Sequence, residues 1–206
     1  MMKKKIKIFI IDKINFLLIN TFFINKLIIF ELDIENPKKI IPSPVNLSFK
    51  ICKKNDIDSM DNDLYDYNEK GRRYSKNQFD KGDRCILALN NDRIIGYVWI
   101  MKNLMELSIY NHIPISTKRS YIYKGFVLEE FRGKRVLNAI DKYVIDLLKE
   151  EGKKFIVTTV SIYNKSSLRA RERLGFKRVG EIIQIRFLGI KYDYIPEKEL
   201  KYLQRL

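Results

Sequence analysis

The hydrophobic pattern is most regular between residues 121 and 176, where short apolar runs alternate with amphipathic segments. Tyr121–Leu128 and Phe155–Val160 are apolar runs of the length that buried strands have. Between them, apolar residues recur every three or four positions, which predicts a helix that ends at Gly152: Val136, Leu137, Ile140, Tyr143, Val144, Leu147 and Leu148. A second helix is predicted over Ser166–Leu174 and ends at Gly175. This order predicts one right-handed crossover between parallel strands.

The segments before and after this unit predict antiparallel strands and one more helix. Arg84–Asn90 and Ile94–Met101 are apolar runs on either side of the turn sequence NNDR, which is typical of a hairpin. Further strands are predicted over Leu47–Lys53, Phe176–Phe187 and Tyr192–Ile195, and a short helix over Arg72–Asp80. Lys102–Arg119, which contains Pro114, is predicted to be an irregular insertion that forms a surface loop or faces a substrate. The pattern therefore predicts an α+β domain in which helices flank a mixed, mostly antiparallel sheet.

The N-terminal part of the chain is strongly apolar but interrupted by charges. Three lysines precede the apolar stretch Ile6–Ile34, as in a signal peptide, yet no small-residue cleavage site follows. Its longest part without a charge, Ile14–Asn25, is too short to span a bilayer. We expect a helix and a strand that cap the domain, with membrane contact through residues 6–32 as the alternative. Prolines between Asn36 and Pro44 indicate a linker, so the chain divides into an extension (1–44) and a domain (45–206).

The charge balance is strongly basic. The chain carries 40 Lys and Arg residues against 25 Asp and Glu residues, a net charge of +15. Such an excess favours anionic partners, such as a polyphosphate cofactor, an anionic membrane or nucleic acid. The abundance of Lys, Ile and Asn is equally what an AT-rich coding sequence produces. Because the sequence contains no recognised nucleic-acid-binding motif, we expect no specific nucleic acid partner.

Residues that bind metals are scarce. Cys52 and Cys85 each lie in an apolar run, and His112 is the single histidine, so a structural zinc site is not expected. We predict two buried free thiols in a reducing compartment, which favours the cytoplasm. The acidic stretch Asn55–Glu69 lacks the glycine and the terminal glutamate of a calcium loop, and we interpret it as solvated surface or a helix cap. We therefore expect no metal site.

Two segments carry candidate chemistry. The basic turn Arg132–Arg135 lies where a predicted strand meets the following helix. Cationic side chains and backbone N–H groups therefore meet at a helix N-terminus, which suits a phosphate. Asn164 precedes the second helix, where it can cap that helix, contact a cofactor, or do both. Gly175 and Phe176 end the same helix.

The order of elements and the segments FVLEEFRGKRVLNAI and VSIYNKSSLRARERLGFKRVG resemble the GCN5-related N-acetyltransferase (GNAT) family, over about Leu47 to Ile195. The resemblance implies the GNAT fold and acetyl-CoA as cofactor, with its pyrophosphate on the amides of the basic turn. It implies the following cofactor-binding residues: Phe126, Val127, Leu128, Arg132, Gly133, Lys134, Arg135, Val136, Asn164 and Ser167. The two small positions of the family motif fall on Arg135 and Leu137. The turn therefore binds the pyrophosphate through Arg135, binds it through amides alone, or is obstructed.

The resemblance also implies direct transfer of an acetyl group to a primary amine of a small molecule or a sugar. In the family, a strand amide binds the thioester carbonyl, which corresponds here to the stretch Phe126–Leu128. A tyrosine often protonates the leaving thiolate, but that position is Arg171 here, so Tyr163 is the nearest phenol in sequence. Glu130 follows the cofactor strand and is the candidate base. Glu106 and His112, in the predicted insertion, are further groups that could face the substrate.

Alternatives to an active cytoplasmic enzyme stay open, and so does the oligomeric state. The departures at Arg135, Leu137 and Arg171 fit a GNAT fold that binds acyl-CoA but has weak or no catalytic activity. The partner of an active enzyme would be a small-molecule amine. A homodimer and an association with the membrane surface are both compatible with such an enzyme.

Overall fold

The computed structural model describes residues 22–60, 64, 69–108, 111–187 and 190–205. The strands in this part of the chain are β1 (Phe22–Asp33), β2 (Ser48–Ile51), β3 (Arg84–Asn90), β4 (Arg93–Lys102), β5 (Leu104–Ser108), β6 (Asn111–Pro114), β7 (Arg119–Val127), β8 (Phe155–Ser161), β9 (Lys177–Phe187) and β10 (Ile190–Tyr194). The α-helices are α1 (Glu69–Asp80), α2 (Val136–Glu150), α3 (Lys165–Leu174) and α4 (Glu197–Gln204). Short 3-10 helices cover Lys54–Ser59 and Glu129–Phe131.

Eight of the described strands form one sheet in the order β10-β9-β1-β8-β7-β4-β3-β2. Strands β7 and β8 are parallel, and the other neighbouring pairs are antiparallel. The predicted mixed, mostly antiparallel sheet flanked by helices is therefore confirmed. Helix α2 connects the two parallel strands, as the periodicity between residues 121 and 160 predicts.

Strand β1 lies in the middle of the sheet, between β8 and β9, and is antiparallel to both. Ile29 and Phe30 are fully buried, and Leu32 is 1% exposed. A strand covered on both faces carries a continuous apolar run, which explains the sequence LIIFEL. The division of the chain at residue 44 stays a prediction, but β1 shares one sheet with the strands that follow it. The part of the extension before residue 22 lies outside the described residues.

The segment predicted as an irregular insertion, Lys102–Arg119, contains a small antiparallel hairpin, β5 and β6. The prediction of an irregular segment is wrong here, because a proline is compatible with the end of an edge strand. Pro114 is the last residue of β6, at the edge of a two-stranded sheet, where its missing N–H breaks no ladder. Met105 is fully buried and anchors the hairpin to the core.

Helices cover both faces of the main sheet. On β4, Gly96 and Val98 point to the face of α2, since a Cβ on Gly96 would contact Ile140 at 3.3 Å. Trp99 points to the opposite face, where it packs edge to face against Phe79 of α1, with ring centroids 5.1 Å apart. Helix α4 lies on that second face as well. None of the helices in the described part of the chain is long and apolar enough to cross a membrane.

Candidate active site

A cleft opens where the parallel strands β7 and β8 diverge. The two strands pair only from Arg119 opposite Phe155 to Tyr121 opposite Val157. Beyond Tyr121, strand β7 forms a bulge against β4, because Val98 faces both Lys124 and Gly125. Lys124 has a φ of 49°, a left-handed conformation that changes the direction of the strand. The diverging strands enclose a cleft of about 420 Å³.

The cleft is lined from both faces of the sheet. On the side of α2 and α3, its lining includes Gly125, Leu137, Thr158, Asn164, Ser167 and Arg171. On the opposite side, the lining includes Glu106, Tyr121, Tyr123, Lys124, Gln184 and Arg186. A molecule bound on one side of the sheet can therefore meet a molecule bound on the other side, within this one opening.

The basic turn precedes α2. Gly133 and Arg135 have φ angles of 75° and 59°, so the turn uses two left-handed residues. The first helical hydrogen bond runs from the Ala139 N–H to the Arg135 carbonyl, at 3.1 Å. The N–H groups of residues 136–138 therefore have no acceptor within the helix and point out of its positive end. Ser43 Oγ donates to the Lys134 carbonyl at 2.7 Å and ties the turn to the preceding linker.

The second motif caps α3. Asn164 Oδ1 accepts hydrogen bonds from the Ser167 N–H at 3.1 Å and from the Ser166 hydroxyl at 2.9 Å. The predicted helix cap is confirmed, and Asn164 and Ser167 also line the cleft. At the other end of α3, Gly175 has a φ of 96°, as the predicted glycine end of the helix requires.

The remaining residues predicted to bind the cofactor lie beside the cleft rather than in its lining. The Leu128 N–H donates to the Ile95 carbonyl at 2.9 Å, so this amide already has a partner. The Val127 carbonyl accepts from Arg132 Nε at 3.2 Å, and the Arg132 guanidinium lies over the Phe126 ring. The cleft wall on β7 is instead formed by the bulge and the two tyrosines before it.

The structure does not bring the candidate acid and base into the cleft lining. Tyr163 is 64% exposed, and its hydroxyl donates to the Ile24 carbonyl at 3.3 Å. Glu130 is exposed and forms an ion pair with Arg93 at 2.9 Å. Of the two further candidates, Glu106 lines the cleft. His112 lies opposite Glu106 in the hairpin register.

Two tyrosines on β7, Tyr121 and Tyr123, line the cleft but are not among the site residues predicted from the sequence. Tyr123 donates a hydrogen bond to Asp83 at 2.5 Å, and Gln78 donates to both of these residues. Burial raises the pKa values of Tyr123 and Asp83, and the Asp83 carboxylate raises that of Tyr123 further. The Tyr121 hydroxyl shares a hydrogen bond of 2.7 Å with Thr159 across the gap between β7 and β8. The alternating sequence YIY could have indicated that these side chains share one face.

Arg171, the position where the family often has a tyrosine, forms a buried ion pair within the cleft wall. Its Nη1 lies 2.7 Å from Asp141 Oδ2, and its guanidinium lies over the Phe176 ring. Burial raises the pKa of the Asp141 carboxyl, while the guanidinium acts in the opposite direction. Asp141 Oδ1 is buried and has no partner among the described residues. The pair fixes a cation on the side of the cleft that faces α2 and α3.

A family model described as "Acetyltransferase (GNAT) family" matches residues 54–176, more than half of the chain. The chain belongs to the GNAT family. The matched region contains the cleft strands, the basic turn and the α3 cap of this GNAT protein, and the family recognised in the sequence is thereby confirmed. In the residues that the structure describes, no cluster of side chains could hold a metal ion.

Individual relatives of this GNAT protein are distant. N-alpha-acetyltransferase 30 of Schizosaccharomyces pombe is 29% identical over 92 residues, which cover 45% of this chain and 56% of that protein. A conserved protein of unknown function from Staphylococcus epidermidis has a TM-score of 0.56 at 15% identity, over 82% of this chain and 64% of that one. AAC(6')-Iy, in complex with a CoA-containing bisubstrate analogue, has a TM-score of 0.52 at 14% identity, over 65% of this chain and 92% of that one. The chain thus spans less than two thirds of the length of its curated relative, and the structural likenesses support the GNAT fold.

Proposed function

We propose that this protein transfers an acetyl group from acetyl-CoA directly to a primary amine. The observation that carries the proposal is the cleft between β7 and β8, which is lined from both faces of the sheet. An acyl donor can lie on the side of α2 and α3, and an acceptor can approach from the other side. No covalent intermediate on the protein is needed, because the two substrates meet in the opening.

The basic turn and the diverging strands suit the parts of acetyl-CoA. The free N–H groups at the start of α2, together with Arg132, Lys134 and Arg135, offer amides and positive charge to the pyrophosphate. Past Tyr121, β7 and β8 no longer pair with each other. Their facing backbone groups can therefore bind the amides of an extended pantetheine arm, as an edge strand binds a peptide.

The chemistry of acyl transfer assigns roles to two features of the cleft. The amide that polarises the thioester carbonyl would come from Gly125 in the bulge, because Gly125 lines the cleft. Phe126 and Val127 lie outside the lining, and the Leu128 amide is already bonded. Arg171 is a cation on the donor side, and it can offset the charge that develops on the leaving sulfur. This role needs no proton transfer from Arg171, so a missing phenol does not forbid the reaction.

A direct test is calorimetric titration with acetyl-CoA, combined with a thiol-release assay on a panel of primary amines. We expect micromolar binding that Arg132→Glu weakens by roughly tenfold, since the variant reverses a charge beside the phosphate site. Lys142→Glu is the matched control, because Lys142 is exposed on α2 and pairs with Asp146 outside the cleft. Absence of binding heat and of any thermal shift with acetyl-CoA would contradict the proposal.

The acceptor is proposed to be a small-molecule amine or an amino sugar. A second candidate is the α-amine of a polypeptide, and the likeness to an N-alpha-acetyltransferase favours it. Both acceptors present a primary amine, so the panel should contain amino sugars, diamines and short peptides with a free N-terminus. Turnover confined to the peptides, and lost when their N-termini are blocked, would decide for the second candidate.

The rival to an enzyme is a GNAT protein that binds acyl-CoA with weak or no catalysis. Arg135 and Leu137 support this rival, because they add side chains where the family has small residues. The same two assays separate the proposals. Acetyl-CoA binding without thiol release across the whole panel would favour the rival.

Cytoplasmic location, a homodimer and contact with a membrane surface remain further proposals. Residues 28–30 and Leu32 are buried, so membrane contact through residues 6–32 would have to involve residues before Ile28. Phe23 and Ile24 are 42% and 46% exposed. Replacing both with serine should abolish co-sedimentation with anionic liposomes if this proposal holds, without removing a strand of the sheet.

A further inference from the structure

The hairpin β5–β6 brings a carboxylate to the acceptor side of the cleft. Met105 anchors the hairpin in the core, so its neighbour Glu106 points the other way along the strand. Glu106 is partly buried and lines the cleft beside Tyr121, Tyr123 and Lys124. It is the one carboxylate among the described residues of the cleft lining.

A tyrosine from a different element lies near Glu106. It is Tyr74 of α1, whose pKa responds to the negative charge of the Glu106 carboxylate. Burial, followed by the negative charges of Glu106 and Asp83, raises the pKa of Tyr74, so its hydroxyl keeps its proton beside these carboxylates. The Lys124 ammonium lies over the Tyr74 ring, 3.8 Å from its centre. Glu106 therefore lies beside a neutral phenol, and its two carboxylate oxygens have acceptor capacity for a ligand.

Other acidic groups near the acceptor side are already engaged. The Asp83 carboxylate accepts from Tyr123 and Gln78 and is 6% exposed. Asp193 accepts from Gln184 at 3.1 Å, and Gln184 in turn accepts from Asn25 at 3.0 Å. The carboxylates of Asp83 and Asp193 are thus bonded to protein side chains, whereas the Glu106 carboxylate lines the cleft.

We propose that the Glu106 carboxylate binds the ammonium group of the acceptor and takes its first proton. The proposal rests on the acyltransferase function proposed above and names the residue that selects a cationic primary amine. Glu106 accepts one proton from R–NH₃⁺, which leaves R–NH₂. The lone pair of this amine attacks the thioester carbon, and a C–N bond forms.

The remaining steps balance without any further reactant. The C–S bond breaks, and the sulfur leaves with the bonding electron pair. The second proton of the attacking nitrogen goes to that sulfur, and Glu106 releases the first proton to solvent. The products are an acetamide, the CoA thiol and one proton. Glu106 is thus a catalytic residue, and Tyr74 is a positioning residue that acts through it.

The test compares Glu106→Gln, Glu106→Asp and Tyr74→Phe with the unchanged chain. Glutamine keeps the size of the side chain but cannot take a proton, so kcat/KM for the best amine should fall by about 100-fold or more. Aspartate should restore part of that loss, and Tyr74→Phe should cost roughly two- to fivefold in kcat. Glu150→Gln, an exposed change at the end of α2, is the matched control and should leave turnover unchanged.

A binding measurement keeps this proposal separate from the proposed function. Spermidine, glucosamine and a free N-terminal tetrapeptide are each titrated onto the protein saturated with CoA. The unchanged chain should bind at least one of them, and Glu106→Gln should weaken that binding by roughly tenfold while acetyl-CoA affinity stays the same.

Three results would overturn the assignment of Glu106. The first is turnover by Glu106→Gln within threefold of the unchanged chain. The second is a loss confined to Glu130→Gln, which would return the role of base to that residue. The third is failure of every amine to bind the CoA complex. Failure of acetyl-CoA itself to bind would instead overturn the proposed function.

Discussion

At the scale of single residues, Arg135 shows how the turn before α2 differs from a glycine turn. Arg135 is the N-cap of α2 and has φ 59° and ψ 21°, a conformation that glycine adopts without steric cost. It makes no side-chain hydrogen bond to the helix end. The chain therefore keeps the backbone shape of a glycine turn and adds a cation to it. The cost is the strain of a left-handed residue with a Cβ.

The first prediction concerns this strain. Arg135→Gly should raise the free energy of unfolding by about 0.5–1 kcal/mol, because relief of the left-handed strain exceeds the added freedom of the unfolded chain. Arg135→Ala keeps the Cβ and should give no such gain. Urea unfolding followed by circular dichroism measures both. Equal stability of the two variants would show that the backbone at residue 135 is not strained.

The second prediction concerns the buried pair of Arg171 and Asp141. Arg171→Gln should lower the free energy of unfolding by about 3–5 kcal/mol at pH 7.5, because it leaves a buried carboxylate without its cation. The folded-state pKa of Asp141 is already raised above 3.8 by burial, and loss of the guanidinium raises it further. Below pH 3.8 the Asp141 carboxyl is protonated in both the folded and the unfolded state, so its burial does not lower the free energy of unfolding through an unpaired charge. The destabilisation should therefore grow only as pH rises from the raised pKa of Asp141 in the unchanged chain to its still higher pKa in the variant.

Urea unfolding at pH 5 and pH 7.5 checks this dependence on pH. The control is Arg178→Gln, since Arg178 and Glu172 form an exposed pair on the same face of the molecule. That change should cost less than about 1 kcal/mol at either pH. A cost for Arg171→Gln that is the same at both pH values would mean that Asp141 does not titrate in this range.

At the scale of elements, local patterns could be predicted and long-range pairings could not. The helices after residues 134 and 164 follow from apolar spacing and from caps within a few positions, such as Asn164 and Gly175. The divergence of β7 and β8 depends on a bulge in the pairing of β7 with β4, so it cannot be predicted from the residues of one strand alone. The sequence offers Glu106 as a substrate-facing candidate, but Tyr74, whose pKa is raised in part by the Glu106 charge, lies on a separate element. The position of β1 in the sheet is equally non-local.

The third prediction tests the bulge. A Cβ on Gly96 would lie 2.9 Å from the Phe126 carbonyl oxygen, so β7 would have to move. Gly96→Ala should lower the free energy of unfolding by about 1–3 kcal/mol, the usual cost of overpacking. A Cβ on Gly125 would lie 3.4 Å from Leu137 Cδ1, which is ordinary contact. Gly125→Ala should leave stability nearly unchanged but narrow the cleft and weaken acetyl-CoA binding.

Thermal unfolding and calorimetry separate the two glycines. We expect a lower Tm for Gly96→Ala and a higher Kd with a normal Tm for Gly125→Ala. The reverse pattern, with Gly125→Ala unfolding early and Gly96→Ala behaving normally, would mean that the bulge lies at a different register.

At the scale of the whole molecule, strand β1 contacts elements from the middle and from the C-terminal part of the chain. Strand β1 pairs with β8 from Leu27 to Asp33 and with β9 from Phe22 to Glu31. Glu31 on this strand also forms a buried ion pair with Arg119 of β7 at 2.7 Å and accepts from the Tyr202 hydroxyl of α4 at 2.6 Å. Removal of β1 would leave two facing strand edges, an Arg119 without its carboxylate partner and an open core.

The fourth prediction follows from this central position. A chain that begins at residue 45 should fail to fold, because it lacks a central strand of the sheet. If residues 45–206 were instead an independent domain, this shortened chain would fold and bind acetyl-CoA.

Because truncation can fail for other reasons, point variants give the sharper test. Phe30→Ala should lower the free energy of unfolding by about 3–5 kcal/mol. Ile24→Ala, at a site on the same strand that is 46% exposed, should cost less than about 0.5 kcal/mol.

Hydrogen exchange then asks whether β1 opens with the rest of the sheet. Its amides should exchange at the same free energy as those of β8, because the two strands share their hydrogen bonds and can open only together. Phe30→Ala should accelerate exchange in β7 and β8 as much as in β1. If β1 exchanged faster than β8, and Phe30→Ala affected β1 alone, the strand would be a separable attachment.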